Sequence, residues 1–129
     1  MKVFLINAHT RTVEPVCLPD KDRLDTIYKL LDCRLIDVIN VGENDLTVDD
    51  EGLLIEPNRQ RYFMYFGTFD LPQAGEETAR LIKIVSFRVA GNALFAGYDK
   101  NGNMAEPTIS IEELRRKIVF MDYSGGQRA

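Results

Sequence analysis

The densest group of side chains capable of chemistry is the acidic segment Asp49-Asp50-Glu51, which lies between two apolar runs. Carboxylate oxygens are the ligands that Mg²⁺ and Ca²⁺ prefer, so a metal-assisted hydrolase is one hypothesis for this segment. Consecutive residues of a strand point to opposite faces, however, so three adjacent carboxylates do not all reach one ion. Gly52 follows and is typical of a tight turn. The pattern favours a solvated acidic turn, with a metal site as the alternative.

A second candidate lies downstream, where arginine and aromatic residues are concentrated between Asn58 and Tyr65. An Arg guanidinium binds phosphate or carboxylate through paired hydrogen bonds, and aromatic rings stack on bases. The competing interpretation is a core strand, because every position from Tyr62 to Phe66 is apolar or aromatic. We predict that five residues bind a ligand by hydrogen bonding or by stacking: Asn58, Arg59, Arg61, Tyr62 and Arg88.

The remaining reactive residues lack the partner residues that known catalytic and metal-binding motifs contain. His9 is the single histidine, and no nucleophile motif or HExxH motif accompanies it, so we predict a solvent-facing loop residue. The segment 99–110 begins like a calcium loop, but Met104 and Ser110 occupy positions that require Gly and Glu. Walker A and GxGxxG motifs are absent. These observations favour a non-catalytic protein that needs no cofactor and no metal.

Length and composition predict one domain spanning residues 1–129, with 45% hydrophobic and 28% charged residues. No apolar run reaches the roughly 20 residues that span a bilayer, and the N-terminal run is too short for a signal peptide. We therefore expect a cytoplasmic protein without membrane contact. Cys17 and Cys33 lie among apolar neighbours and are predicted to be buried free thiols.

The net charge of −4 is distributed unevenly, with −6 in residues 1–58 and +2 in residues 59–129. Polyanion binding depends on neutralising many phosphates, so this balance argues against nucleic acid as the partner, including through Arg115-Arg116-Lys117. A small basic patch in the second half suits one or two phosphates. The partners we expect are a host protein or a small molecule, and the oligomeric state stays open.

The elements that position these residues are mainly strands. Pro15 lacks the N–H that a central strand needs, so the strand around it is placed at a sheet edge. Gly91-Asn92 predicts a tight turn between two paired strands, and Asn101-Gly102 predicts a further hairpin. The turn residues Gly42-Glu43-Asn44-Asp45 predict a hairpin at 35–48, and a loop is predicted at 70–76. Strands are predicted at 3–6, 12–18, 35–41, 46–48, 53–55, 61–69, 81–89 and 93–98.

Two helices are predicted, at about 20–32 and 110–121. Asp20 is the expected N-cap of the first, and its apolar stripe consists of Leu24, Ile27, Tyr28 and Leu31. Ser110-Ile111-Glu112-Glu113 is a capping box that begins the second. Because hairpins recur and strands outnumber helices, the sequence predicts an α+β fold with a mainly antiparallel sheet.

Five segments together carry a family resemblance: Tyr28-Lys29-Leu30-Leu31-Asp32, 36–39, 46–54, Pro57-Asn58 and 91–97. They resemble a family catalogued as domain-of-unknown-function family 3846. The resemblance covers roughly residues 20–98, and it implies a small protein of phages or bacterial conjugative elements without implying an activity. The resulting hypothesis is an accessory protein that binds a host protein or a small nucleotide-like ligand, with the hydrolase as the alternative.

Overall fold

The computed structural model of the chain describes residues 1–51, 61–72 and 80–122. Within these residues the chain forms two antiparallel sheets and two helices, which confirms the α+β class. The elements are β1 (Lys2–Asn7), β2 (Thr12–Cys17), α1 (Arg23–Leu31), β3 (Ile36–Asn40), β4 (Asn44–Asp49), β5 (Arg61–Pro72), β6 (Arg80–Ala90), β7 (Ala93–Tyr98), β8 (Met104–Ala105), α2 (Ile111–Arg116) and β9 (Ile118–Asp122). The predicted strand at 53–55 lies outside the described residues.

The larger sheet has the strand order β2-β1-β7-β4-β3, and β8 pairs with the end of β7. Strand β2 lies at its edge, as the missing N–H of Pro15 predicted. The predicted hairpin at 35–48 is confirmed as β3–β4, with Ile36 opposite Asp49. The Asn-Gly signal is also confirmed, since β7 and β8 pair across it and the Asp99 carboxylate accepts the N–H groups of Asn101 and Asn103 at 2.9 Å.

The smaller sheet has the order β6-β5-β9. Strands β5 and β6 pair along their whole described length, so residues 70–72 of the predicted loop belong to β5, and residues 73–76 lie outside the described part. The predicted pairing across Gly91-Asn92 is wrong. Turn residues signal a change of direction but do not select the partner strand, and here the chain crosses from the smaller sheet into the centre of the larger one.

The crossover between the sheets is fixed by its own hydrogen bonds. Gly91, at φ 83°, donates its N–H to the Arg61 carbonyl at 2.7 Å. The side chain of Asn92 is buried, with 8% exposed. Its Oδ1 accepts the N–H of Ala8 at 3.0 Å, and its Nδ2 donates to the Leu30 carbonyl at 3.4 Å. The junction therefore connects both sheets and α1 at one point.

Helix α1 begins three residues later than predicted. Asp22 is its N-cap residue, at φ 55° and without a side-chain capping bond, so the prediction of Asp20 as the N-cap is wrong. Asp20 instead forms an ion pair with Arg23 at 3.3 Å. The predicted end at Asp32 is confirmed. Among the residues of the predicted apolar stripe, Ile27 and Leu31 are buried, whereas Leu24 is 51% exposed.

Helix α2 is shorter than predicted. Its start is confirmed, because the Ser110 hydroxyl accepts the N–H of Glu113 at 3.1 Å. The predicted end at 121 is wrong, since the helix stops at the C-cap Lys117 and Ile118–Asp122 form β9. These residues are mostly β-branched or aromatic, and pairing with β5 stabilises them as a strand. None of the described helices has both the length and the apolar composition needed to cross a membrane.

The larger sheet is covered on both faces. Helix α1 packs on one face, where the buried cluster contains Val3, Leu18, Ile27, Leu31, Leu94 and Ala96. The smaller sheet and α2 pack on the opposite face. That second cluster includes Phe4, Ile6, Leu46, Phe63, Tyr65, Val89, Phe95, Leu114 and Ile118. The core therefore has two layers, and the second separates the two sheets.

Candidate functional site between the sheets

A cavity of about 420 Å³ opens between the two sheets, and we call it the inter-sheet cavity. Five parts of the chain meet there: the β3–β4 turn, β5, β7, the loop before α2 and the end of α2. Its walls combine apolar, hydroxyl, amide and charged side chains. The lining residues are Val41, Gly42, Glu43, Asn44, Tyr65, Gly67, Phe95, Thr108, Ile109 and Lys117.

Tyr65 is the central polar residue of the cavity wall. Only 4% of the residue is exposed, and its ring lies 5.4 Å from that of Phe87. None of the hydrogen bonds found among the described residues uses its hydroxyl. Burial raises the pKa of Tyr65 above its ordinary value of 10.0, so the group is a neutral O–H donor near pH 7. A buried hydroxyl without a partner costs about 1–3 kcal/mol, which a ligand acceptor would recover.

Asn44 and Thr108 hold a second wall of the cavity in place. Asn44 is 5% exposed, and its Nδ2 donates to the Thr108 hydroxyl at 2.7 Å. The Thr108 N–H in turn donates to Asn44 Oδ1 at 3.0 Å. This reciprocal pair fastens the loop before α2 to the β3–β4 turn. Because the Thr108 hydroxyl is used there as an acceptor, its own proton stays available to a ligand.

Two charged residues stand at the cavity, half-buried Lys117 and exposed Glu43. Lys117 is the C-cap of α2, and its backbone N–H donates to the Leu114 carbonyl at 2.8 Å. No ion pair within the described part of the chain involves either residue. Tyr65, Thr108 and Lys117 thus present two hydroxyl donors and one ammonium, a set that suits an anionic oxygen group.

The acidic segment forms a turn and not a metal site. Glu51 accepts two hydrogen bonds from the Arg34 guanidinium, at 2.7 and 3.1 Å, and the first of these contacts is the main reason that its pKa is lowered. Asp49 accepts the N–H of Glu51 at 2.8 Å. Across residues 1–51, 61–72 and 80–122, no three Asp, Glu, His or Cys side chains converge as metal ligands. The described residues therefore offer no metal site to the hydrolase hypothesis for Asp49, Asp50 and Glu51.

The predicted ligand-binding residues are not brought to this cavity. Asn58 and Arg59 lie outside the described residues, and Arg61, Tyr62 and Arg88 belong to β5 and β6 but do not line it. Tyr62 is 8% exposed, and the Arg88 guanidinium carbon lies 5.0 Å from its ring centroid, a cation–π contact. Alternation along β5 directs Tyr62 and Tyr65 to opposite faces of the sheet. Their role in ligand binding stays a prediction.

The remaining reactive side chains lie apart from the cavity. His9 is exposed in the β1–β2 turn, as predicted. Cys17 and Cys33 are free, also as predicted, but their predicted burial is wrong. Cys17, the last residue of an edge strand, is exposed, and Cys33 is only half-buried. Burial and then the nearby Asp49 carboxylate raise the pKa of Cys33.

Sequence patterns missed the cavity because its walls come from distant segments. Tyr65 falls inside the aromatic segment at 61–69, where strand periodicity assigns it to the core, and Lys117 follows two other cations near a helix end. Asn44 and Thr108 are 64 positions apart and carry no motif. The one available signal was Tyr65 itself, since a tyrosine at a core position needs a partner for its hydroxyl.

Comparison with known proteins places the chain in a family. No curated protein and no solved structure matches it. The family model described as Domain of unknown function (DUF3846) matches residues 1–87. The match starts earlier than the resemblance at 20–98 and ends before 91–97, so it includes Asn44 and Tyr65 but not Lys117. Because it covers about two thirds of the sequence, the chain belongs to the Domain of unknown function (DUF3846) family.

Proposed function

We propose that this protein is a non-catalytic binding protein whose inter-sheet cavity holds a small ligand with an acidic oxygen group, either a carboxylate or a phosphate. The observation that carries this proposal is the Tyr65 hydroxyl, which lines the cavity, is buried, and has no hydrogen-bond partner among the described residues. Native structures pair nearly all buried polar groups, so an unpaired one at a cavity wall indicates a missing partner.

The other lining residues define the class of ligand. Lys117 supplies a positive charge beside the two hydroxyl donors, and Val41 and Ile109 supply apolar wall. A volume of about 420 Å³ lies in the range of small-molecule sites, which are mostly apolar with a few convergent polar groups. A nucleotide-like ligand belongs to this class, with its phosphate toward Lys117.

The lining favours binding without chemistry. Glu43 is the single carboxylate among the lining residues, and neither His nor Cys is present there. Glu43, Tyr65 and Lys117 are the titratable groups of the lining, and none of them belongs to a nucleophile–base arrangement such as Ser–His or Cys–His. In the phage or conjugative-element setting that the resemblance implies, such an accessory protein would sense or sequester its ligand.

Thermal-shift screening tests the proposal, using inorganic phosphate, citrate, mononucleotides and cyclic dinucleotides as probes. Each probe that raises Tm is then titrated calorimetrically into the wild type, Tyr65→Phe and Lys117→Met. We expect Lys117→Met to weaken binding at least about tenfold, because a hydrogen bond to a charged group contributes about 1.5–3 kcal/mol. Tyr65→Phe should weaken it about three- to tenfold, in line with roughly 1 kcal/mol for a neutral hydrogen bond.

Two features separate a binding role from a structural one. Tyr65→Phe removes an unpaired buried hydroxyl, so it should raise Tm of the free protein while it weakens binding. Tyr28→Phe and Lys29→Met, on α1 and away from the cavity, are the matched controls and should bind like the wild type. A flat response to every probe, or equal binding by all variants, would contradict the proposal.

A further inference from the structure

Strand β9 forms one edge of the smaller sheet. The Phe66 N–H donates to the Lys117 carbonyl at 2.8 Å, and β9 continues opposite β5 from Tyr65–Ile118 to Arg61–Asp122. In an antiparallel ladder the bonded pairs alternate, so the backbone groups of 117, 119 and 121 face β5. Those of Ile118, Phe120 and Asp122 therefore face away from β5, toward an edge that no strand of residues 1–51, 61–72 and 80–122 covers. Such an edge is a template for another strand.

The edge strands β2, β3 and β6 carry a charge or a proline inside the strand, whereas the charge of β9 is its last residue, Asp122. Strand β2 contains Glu14 and Pro15, β3 contains Asp37, and β6 contains several cations. Proteins use such charges and prolines to block edge-to-edge pairing. Residues 118–121 are Ile, Val, Phe and Met, without a charge or a proline. Val119 and Met121 are also 49% and 39% exposed.

We propose that two copies of this protein associate by antiparallel pairing of their β9 strands about a two-fold axis, which joins the two smaller sheets into one continuous sheet. With Phe120 opposite the partner's Phe120, the outward groups of 118, 120 and 122 form up to about six backbone hydrogen bonds. Each Val119 then lies opposite the partner's Met121, so the exposed apolar side chains cover each other.

The strand that pairs with β9 comes from a second copy of the protein, because β9 is complementary to itself. A two-fold interface uses the same patch on both subunits, so the patch must match its own reversed sequence. With Phe120 at the two-fold axis, the exposed side chains of Val119 and Met121 face each other in both halves of the interface, so the apolar patch matches its own reverse. The apolar centre brings no like charges together, and like charges directly opposite each other would destabilise the pair.

Sedimentation velocity over a wide range of protein concentration tests this pairing. We expect the wild type to pass from monomer to dimer with rising concentration. The double variant V119K/M121K places lysine opposite lysine in both symmetric pairs, so its dimer should be at least about tenfold weaker. V119E/M121K places an acidic side chain opposite a basic one, and its dimer should be stronger than that of V119K/M121K.

The matched control is V38K, because Val38 is 53% exposed and lies on the edge strand β3 of the larger sheet. It should dimerise like the wild type. Hydrogen exchange on the wild type gives a readout without mutation: the amides of Ile118 and Phe120 should become more protected as concentration rises. A wild type that stays monomeric, a V119K/M121K protein that dimerises like the wild type, or amides whose protection is constant would overturn the proposal.

Discussion

The two sheets differ in how many of their faces are covered. In the larger sheet every residue of β7 from Ala93 to Gly97 is buried, because α1 covers one face and the smaller sheet covers the other. In the smaller sheet the described side chains of the inner face are largely buried. On the outer face Phe66, Val119 and Met121 remain 39–49% exposed, although Tyr62 lies under the Arg88 guanidinium. Strands β5, β7 and β9 are all rich in apolar residues. Such a strand is buried on both faces in the centre of the larger sheet but leaves apolar side chains exposed on one face of the smaller sheet.

The largest expected effect separates the two faces of a single strand. Phe63 and Phe66 both lie on β5, but Phe63 is 0% exposed between the sheets and Phe66 is 40% exposed on the outer face. Phe63→Ala should lower the free energy of unfolding by roughly 3–5 kcal/mol, because it leaves a cavity in the core. Phe66→Ala should lower it by less than about 1 kcal/mol. Urea denaturation of both variants measures the difference, and equal losses would contradict one-sided coverage.

A smaller effect on stability is expected when one glycine of each sheet is replaced by alanine. A Cβ at Gly97, in β7, would collide with the backbone carbonyl of Glu106, and backbone does not move aside easily. A Cβ at Gly67, in β5, would lie 2.8 Å from Cε1 of the Tyr65 ring, which a shift of that side chain relieves. Gly97→Ala should therefore destabilise by about 1–3 kcal/mol, and Gly67→Ala by less. Thermal unfolding of both variants tests this, and a larger loss for Gly67→Ala would contradict it.

The smallest expected effect concerns pH and the buried hydroxyl between the sheets. Burial raises the pKa of Tyr65 above 10.0, so the folded state holds this proton more tightly than the unfolded state does. The contribution of this pKa difference to the free energy of unfolding is complete below pH 10. It is lost as pH rises through the pKa of the folded state. Tyr65→Phe should flatten that part of the alkaline stability curve. Denaturation at several alkaline pH values measures it, and identical curves for wild type and Tyr65→Phe would show that the hydroxyl is not desolvated.

Local signals in the sequence predicted local structure well. The β3–β4 hairpin, the Asn101-Gly102 turn and the Ser110 cap each depend on residues within a few positions of one another. The β5–β6 pairing and strand β9 were missed. A strand pairs with a strand edge that is free elsewhere in the fold, and the residues near it in the sequence do not indicate which edge that is. The inter-sheet cavity was missed for the same reason, since its Asn44–Thr108 bond spans 64 positions.

The crossover at Gly91-Asn92 has a consequence for the family to which the chain belongs. The matched region ends at residue 87, yet the strand that enters the middle of the larger sheet, β7, comes after the crossover. Without β7, β1 and β4 would each lose a neighbour, and the Ala8 N–H would lose its Asn92 partner. The segment that the family model matches is therefore shorter than the segment that builds the larger sheet.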